Sequence, residues 1–77
     1  MDSHRLEAYP YTMRELAPDE GGGYLVSYPD LDGCFGDGET IEEAIADGRQ
    51  ALAAVIAALE SKSLPVPAPG SHALRHK

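Results

Sequence analysis

The sequence predicts an α+β fold: a three-stranded antiparallel sheet packed by one long helix, in the order β-β-β-α, with a short fourth strand allowed after the helix. Three observations predict it. Residues 9–16 and 24–28 carry apolar side chains at every second position, the period of a half-buried strand. The stretch between them, Ala17 to Gly23 (APDEGGG), is turn chemistry, with a proline, an aspartate and three glycines. From Ile41 onward apolar residues recur at spacings of three and four, which is one helical stripe. The 77 residues suffice for one domain. They divide into a polar lead-in (1–8), the α+β domain (9–69) and a basic tail (70–77) expected to be disordered.

In the first strand Tyr9, Tyr11 and Met13 share one side, and Thr12 and Arg14 the other. Pro10 has no N–H for a ladder, so this strand starts at an edge or begins after it. In the second strand Tyr24, Val26 and Tyr28 alternate against Leu25 and Ser27, and Pro29 stops it. Asp30-Leu31-Asp32-Gly33 is a turn: Asp30 is suited to an Asx-turn and Gly33 to positive φ. Cys34 and Phe35 open a short third strand that runs into Gly36-Asp37-Gly38-Glu39.

The helix begins at a capping box, Thr40 with Glu43 three residues on. Glu42, Glu43 and Asp47 complement the positive end of its dipole. Ile41, Ile45, Leu52, Val55, Ile56 and Leu59 form the stripe, and Gly48 lies on it at a cost of about 1 kcal/mol against Ala. Two readings of Gly48 stand: drift in an Ala-rich helix, or close approach of helix to sheet. Pro65 forbids continuation. About 20 residues of helix span about 30 Å, long for so small a sheet, so the C-terminal half is expected to project toward a partner. Pro65 to Pro69 favours an extended arm.

Charge excludes some functions. Thirteen acidic against six basic residues give −7 at neutral pH, which argues against autonomous nucleic-acid binding. The longest mainly apolar stretch, Ala51 to Leu59, is too short to span a bilayer. The polar start lacks a signal-peptide core. The single cysteine, Cys34, excludes an internal disulfide. A cytoplasmic location is expected.

No enzyme constellation stands out, and no catalytic residue, cofactor or metal is expected. Cys34 reads as a small buried hydrophobe, since a nucleophile needs a nearby base and the three histidines, His4, His72 and His76, sit in the terminal segments. Gly21-Gly22-Gly23 joins two strands, so it does not read as a phosphate loop. The four tyrosines read as packing residues.

Ten acids and no Lys or Arg lie between Glu15 and Asp47. This window is either a solvated, solubilising set or a negative face for a cationic partner, whose charges set association rate and specificity. On the second reading Asp30, Asp32, Asp37, Glu39 and Glu42 are the partner-binding candidates, with side chains exposed. A third reading is a divalent-metal nuclease site on Asp30, Asp32 and Asp37, which requires their carboxylates to converge. Pro29, Gly33, Gly38, Thr40, Glu43, Gly48 and Leu52 read as structural.

Tyr28-Pro29-Asp30-Leu31, Gly33-Cys34, Gly38, Thr40, Glu42-Glu43-Ala44 and Ala51-Leu52 together resemble the HicB antitoxin family. Leu64-Pro65-Val66-Pro67 resembles the segment that follows that family's helix, and the resemblance covers about residues 8–69. It implies a partial RNase H-like fold and a binding role: silencing a HicA-like toxin, a small basic ribonuclease that cuts messenger RNA. HicB proteins usually carry a DNA-binding domain after this module. Eight residues follow Pro69 here, so operator DNA binding is not expected. The resulting expectation is an acidic, non-enzymatic antitoxin of a type II toxin–antitoxin system that occludes its toxin as a homo-oligomer, most simply a dimer. The alternatives are a free-standing interaction module without a toxin and the metal-dependent nuclease.

Overall fold

The computed structural model describes residues 6–71. His4 and most of the lead-in, and His72, His76 and the rest of the basic tail, lie outside the described residues. The architecture is the expected α+β arrangement. Strands β1 (Thr12–Glu15), β2 (Tyr24–Ser27) and β3 (Phe35–Gly38) form an antiparallel sheet in the order β1-β2-β3, and helix α1 (Ile41–Ser61) covers one face. No fourth strand forms among the described residues. The segment from Pro65 runs back across the molecule as an extended arm.

Register follows from the turns. Glycines 21, 22 and 23, with φ of 108°, 72° and 83°, adopt the left-handed region that lets the β1–β2 connection close. The result pairs Met13 with Val26 and Arg14 with Leu25. Between β2 and β3, Gly33 turns with φ 72°, and Val26 then pairs with Gly36. Val26 and Tyr28 therefore face the helix and are buried.

β1 is shorter than its alternation suggests. Tyr9 is buried but lies outside the ladder, and its hydroxyl donates to the Pro67 carbonyl at 2.6 Å. Apolar alternation cannot distinguish burial against a sheet from burial against an arm. Just before it, Leu6–Ala8 forms a 3-10 turn whose Leu6 packs on the core.

The core comprises Tyr9, Val26, Tyr28, Leu31, Cys34, Ala44, Leu52 and Ile56. The buried face of α1 is Ala44, Gly48, Leu52 and Ile56, an i, i+4 row. Ile41, placed on the stripe by sequence, is 45% exposed, whereas Ala44 is fully buried. Contact distance explains the choice of small residues. A Cβ at Gly48 would stand 3.1 Å from Val26 Cγ1 and 3.3 Å from Tyr28 Cε2, and a Cβ at Gly36 would run into the Gly48 backbone. Helix and sheet touch backbone to backbone at this crossing, so the close-approach reading of Gly48 holds.

The C-terminal half of α1 does not stand free on its inner side, as its length suggested. Ile56 is buried in the core, and Val55 and Leu59 are half-buried against it, as are Leu6 and Val66. Ala53, Ala54, Ala57 and Ala58 face outward. The helix closes with Leu64 N–H donating to the Leu59 carbonyl at 2.9 Å and Ser63 at φ 57°.

Candidate partner-binding face

The helix lies directly on β3 because that strand, Phe35-Gly36-Asp37-Gly38, has no side chain on its inner side. Added Cβ atoms at Gly36 and Gly38 would strike the backbones of Asp47–Gly48 and Glu43–Ala44 respectively. This proximity brings acidic side chains from α1 to the strand's outer edge. Asp47 Oδ2 accepts from the Asp37 N–H at 3.0 Å, and Glu43 Oε1 accepts from the Glu39 N–H at 3.1 Å. Thr40 Oγ1 in turn accepts from the Glu43 N–H at 3.1 Å. Glu43 thus links the helix cap to the strand edge one residue before the cap, at Glu39.

Four of the sequence-predicted partner residues have solvent-facing positions. Asp32 lies in the β2–β3 turn, Asp37 on β3, Glu39 just after it, and Glu42 in the first turn of α1; all four are exposed. Asp37 shares the outer sheet face with the exposed ring of Phe35.

Asp30 is different. It was expected on the surface, but it is only 3% exposed, and its Oδ2 accepts from the Gly70 N–H at 2.9 Å. The arm returning after α1 covers it. Asp30 therefore fastens the arm to the β2–β3 turn, and its side chain does not reach a surface partner. Leu31 beside it is buried as well. Sequence reasoning gave the turn but could not see an acceptor for an amide 40 residues away.

Next to this clasp a cleft of about 290 Å³ opens between the turn, α1 and the arm, lined by Asp30, Leu31, Asp32, Val55, Leu59, Pro65 and Pro67. Among the described residues no three or more His, Cys, Asp or Glu side chains are grouped to hold a metal ion. Asp30, Asp32 and Asp37 do not converge, which removes the geometry that a metal-dependent nuclease needs.

Burial pushes the Cys34 thiol above its ordinary value of 9.0, which disfavours the thiolate, the nucleophilic form. Burial likewise raises the Tyr9 and Tyr28 phenols above 10.0, and at Tyr9 the nearby charges of Asp30 and Glu60 add to the effect. These groups are structural and neutral near pH 7. Glu20 carries the opposite shift: the Ala17 N–H, then Arg14, hold its carboxyl below the usual range. Arg14, one of the two cations flanking the acidic window, is thereby paired at 3.3 Å with Glu20. No described helix is long and apolar enough to cross a membrane.

Comparison with known proteins gives a consistent family match. The model for the HicB-like antitoxin of bacterial toxin–antitoxin systems matches residues 9–75. Antitoxin HicB 1 of Photorhabdus laumondii subsp. laumondii is 41% identical over 66 residues, covering 79% of this chain and 39% of that protein. A UPF0150 protein of Thermoplasma acidophilum is 36% identical over 52 residues, covering 68% of this chain and 75% of the relative. A UPF0150 protein of Synechocystis is 38% identical over 61 residues, covering 79% and 76%. The chain thus spans well under half of the Photorhabdus protein and about three quarters of the other two. No solved structure matches the chain.

Proposed function

Because this chain belongs to the HicB-like antitoxin family of bacterial toxin–antitoxin systems, we propose that it binds a HicA-like, mRNA-cleaving ribonuclease in the cytoplasm and blocks RNA from reaching that enzyme's active site. It acts by occupancy and catalyses nothing. In this reading the β-β-β-α order is half of an RNase H-like unit used as a binding scaffold, and the working form is a homo-oligomer.

The observation that carries the proposal is the acidic rim along β3 and the start of α1. Asp32, Asp37, Glu39 and Glu42 are exposed, and the window from Glu15 to Asp47 contains no Lys or Arg. A ribonuclease that holds RNA presents a cationic face, and a negative rim competes for it. Glu43 and Asp47 are exposed members of the same window, but their carboxylates also hold the β3 edge, so they keep the rim rigid. Rim charges of this kind act chiefly on association rate and on salt dependence.

The test replaces Asp32, Asp37 and Glu42 together by Lys and measures association rate and affinity for a HicA-like ribonuclease, by surface plasmon resonance at two salt concentrations. Asp30 is left intact because its carboxylate is part of the fold. The folded triple variant is expected to associate more slowly and to lose most of the salt dependence. Unchanged affinity and unchanged salt dependence refute the charge-matched face and leave these acids as a solubilising surface.

A further inference from the structure

The two edges of the sheet are treated differently. On β3, two consecutive outward amides, those of Asp37 and Glu39, already donate to the carboxylates of Asp47 and Glu43. Carboxylates on an edge also repel an incoming strand's carbonyls, so this edge is closed to pairing. On β1 the situation is reversed. Leu16 bonds to Gly23 across the β1–β2 ladder, so the bonding positions toward β2 are Thr12, Arg14 and Leu16. The N–H and C=O groups of Tyr11, Met13 and Glu15 point the other way. No described group bonds to these three amides, and β1 has only β2 as a neighbour. An apolar lip runs along this edge: Tyr11 is 42% exposed and stacks obliquely on Tyr28 at 5.7 Å, and Met13 is half-buried beside it.

We propose that the free edge of β1 is the seam along which two copies of this chain pair, antiparallel about Met13, to make one continuous six-stranded sheet. The occupant is a second copy because the edge is self-complementary in one register. With Met13 opposite the partner's Met13, Tyr11 lies opposite the partner's Glu15 and Thr12 opposite the partner's Arg14. Apolar meets apolar at the centre, and no like charges face each other. Sliding two residues toward the C-terminus sets Arg14 against the partner's Arg14. Sliding the other way sets Glu15 opposite the partner's Tyr9, which is buried and whose N–H already donates to the Leu6 carbonyl. A two-fold axis through Met13 gives an isologous, closed dimer. It leaves the acidic rim of each copy, on the far edge, free for a partner. The proposal rests on the oligomeric part of the reading above and supplies its surface.

Light scattering on the full chain at about 100 μM is expected to give about twice the 8.2 kDa chain mass. Two variants at Tyr11 test the register. Both lose the ring contact with Tyr28, and they differ only in the sign presented to the partner's Glu15. Tyr11→Glu is expected to weaken the dimer about tenfold, because a like-charge pair is created twice by symmetry. Tyr11→Lys is expected to retain it. Ala53→Glu, on the exposed side of α1, adds the same charge away from the seam and should leave the mass unchanged. Met13→Pro removes an outward N–H without touching the β1–β2 ladder and should yield a folded 8.2 kDa species. A wild-type monomer overturns the proposal. So does a dimer that survives both Tyr11→Glu and Met13→Pro, since it uses another surface. Toxin binding is measured separately on each variant. If Met13→Pro abolishes binding while the wild type is monomeric, the edge receives a toxin strand and the dimer seam is wrong. If the dimer dissociates as expected and monomers still bind toxin, the occlusion reading stands independently of the seam.

Discussion

Replacing Gly36 by Ala should be among the most damaging one-carbon changes in this protein. Gly36 needs no left-handed backbone, so its requirement is steric. The added Cβ would overlap the Gly48 amide nitrogen and stand 2.5 Å from Gly48 Cα and 2.7 Å from the Asp47 carbonyl carbon. Carbon atoms pack best at roughly 3.5–4.0 Å, so about 1 Å is missing, and the obstacle is helix backbone that has no rotamer to change. The helix must lift. That opens the Val26–Gly48 contact and lengthens the Asp47–Asp37 hydrogen bond. Overpacking costs about 1–3 kcal/mol where side chains can yield, and here the upper end, about 3 kcal/mol, is the expectation. For a domain of this size each kcal/mol shifts Tm by about 4–8 °C, so the fall is about 12–24 °C. Gly48→Ala supplies the control. Its Cβ meets side-chain atoms at 3.1 and 3.3 Å, which can adjust, and it recovers about 1 kcal/mol of helix propensity. Its Tm should stay within about 8 °C of wild type. Thermal melts by circular dichroism decide the matter. If Gly36→Ala melts within about 4 °C of wild type, or Gly48→Ala falls further than Gly36→Ala, the backbone-on-backbone crossing is not what constrains this fold.

Asp30→Lys should destabilise strongly, because it places a cation where a buried carboxylate accepts the Gly70 N–H; a melt equal to that of Asp32→Lys would show that the clasp is dispensable. Leu52→Asp should abolish folding, since Leu52 has no exposed surface and the new carboxylate would have no partner. A cooperative wild-type-like melt would place the helix face wrongly. Stability should be flat from neutrality to about pH 9 and then decline. Tyr9, Tyr28 and Cys34 all have raised values, so their contribution is complete below the ordinary 9.0 and 10.0 and is lost as pH climbs through the folded values. Tyr9→Phe should lose about 1 kcal/mol with the Pro67 bond and should show a shallower alkaline decline; an unchanged slope would mean that Tyr9 ionisation is not involved.

The elements set by local chemistry were legible in the sequence. Thr40 and Glu43 fix the start of α1, Pro29 ends β2, and the glycine run closes the first hairpin, each within a few residues of the effect it produces. What escaped was set by pairs distant along the chain. Gly36 could not be singled out, because only the β2–β3 register and the path of α1 reveal that it faces Gly48. Ile41 looked like core by hydrophobicity, yet the helix sits so close to β3 that Ala44 fits there and Ile41 turns outward. Tyr9 belonged to a strand by alternation, but in fact it lies before β1 and its hydroxyl donates to the arm at Pro67. At the candidate site, Asp32 and Glu42 are exposed as their turn and first-turn positions suggest, and Asp37 and Glu39 are exposed on and just after β3. Asp30 had the same local signature and the opposite environment, because its partner arrives from Gly70.

The clasp formed by Asp30 with Gly70 and by Tyr9 with Pro67 also bears on the order of assembly. These bonds join residues 40 and 58 positions apart, whereas the hairpin and the helix form from near neighbours. Loop closure over long separations is entropically late, so sheet and helix should condense first and the arm dock afterwards. The same order in reverse describes native-state opening. The arm can detach without breaking any rung of the sheet, a subglobal unit with its own free energy below that of complete unfolding. The Gly70 amide should then exchange with solvent deuterium well before that of Val26 in the central strand. Each such excursion uncovers the Val55 and Leu59 side of the helix for as long as the arm is away.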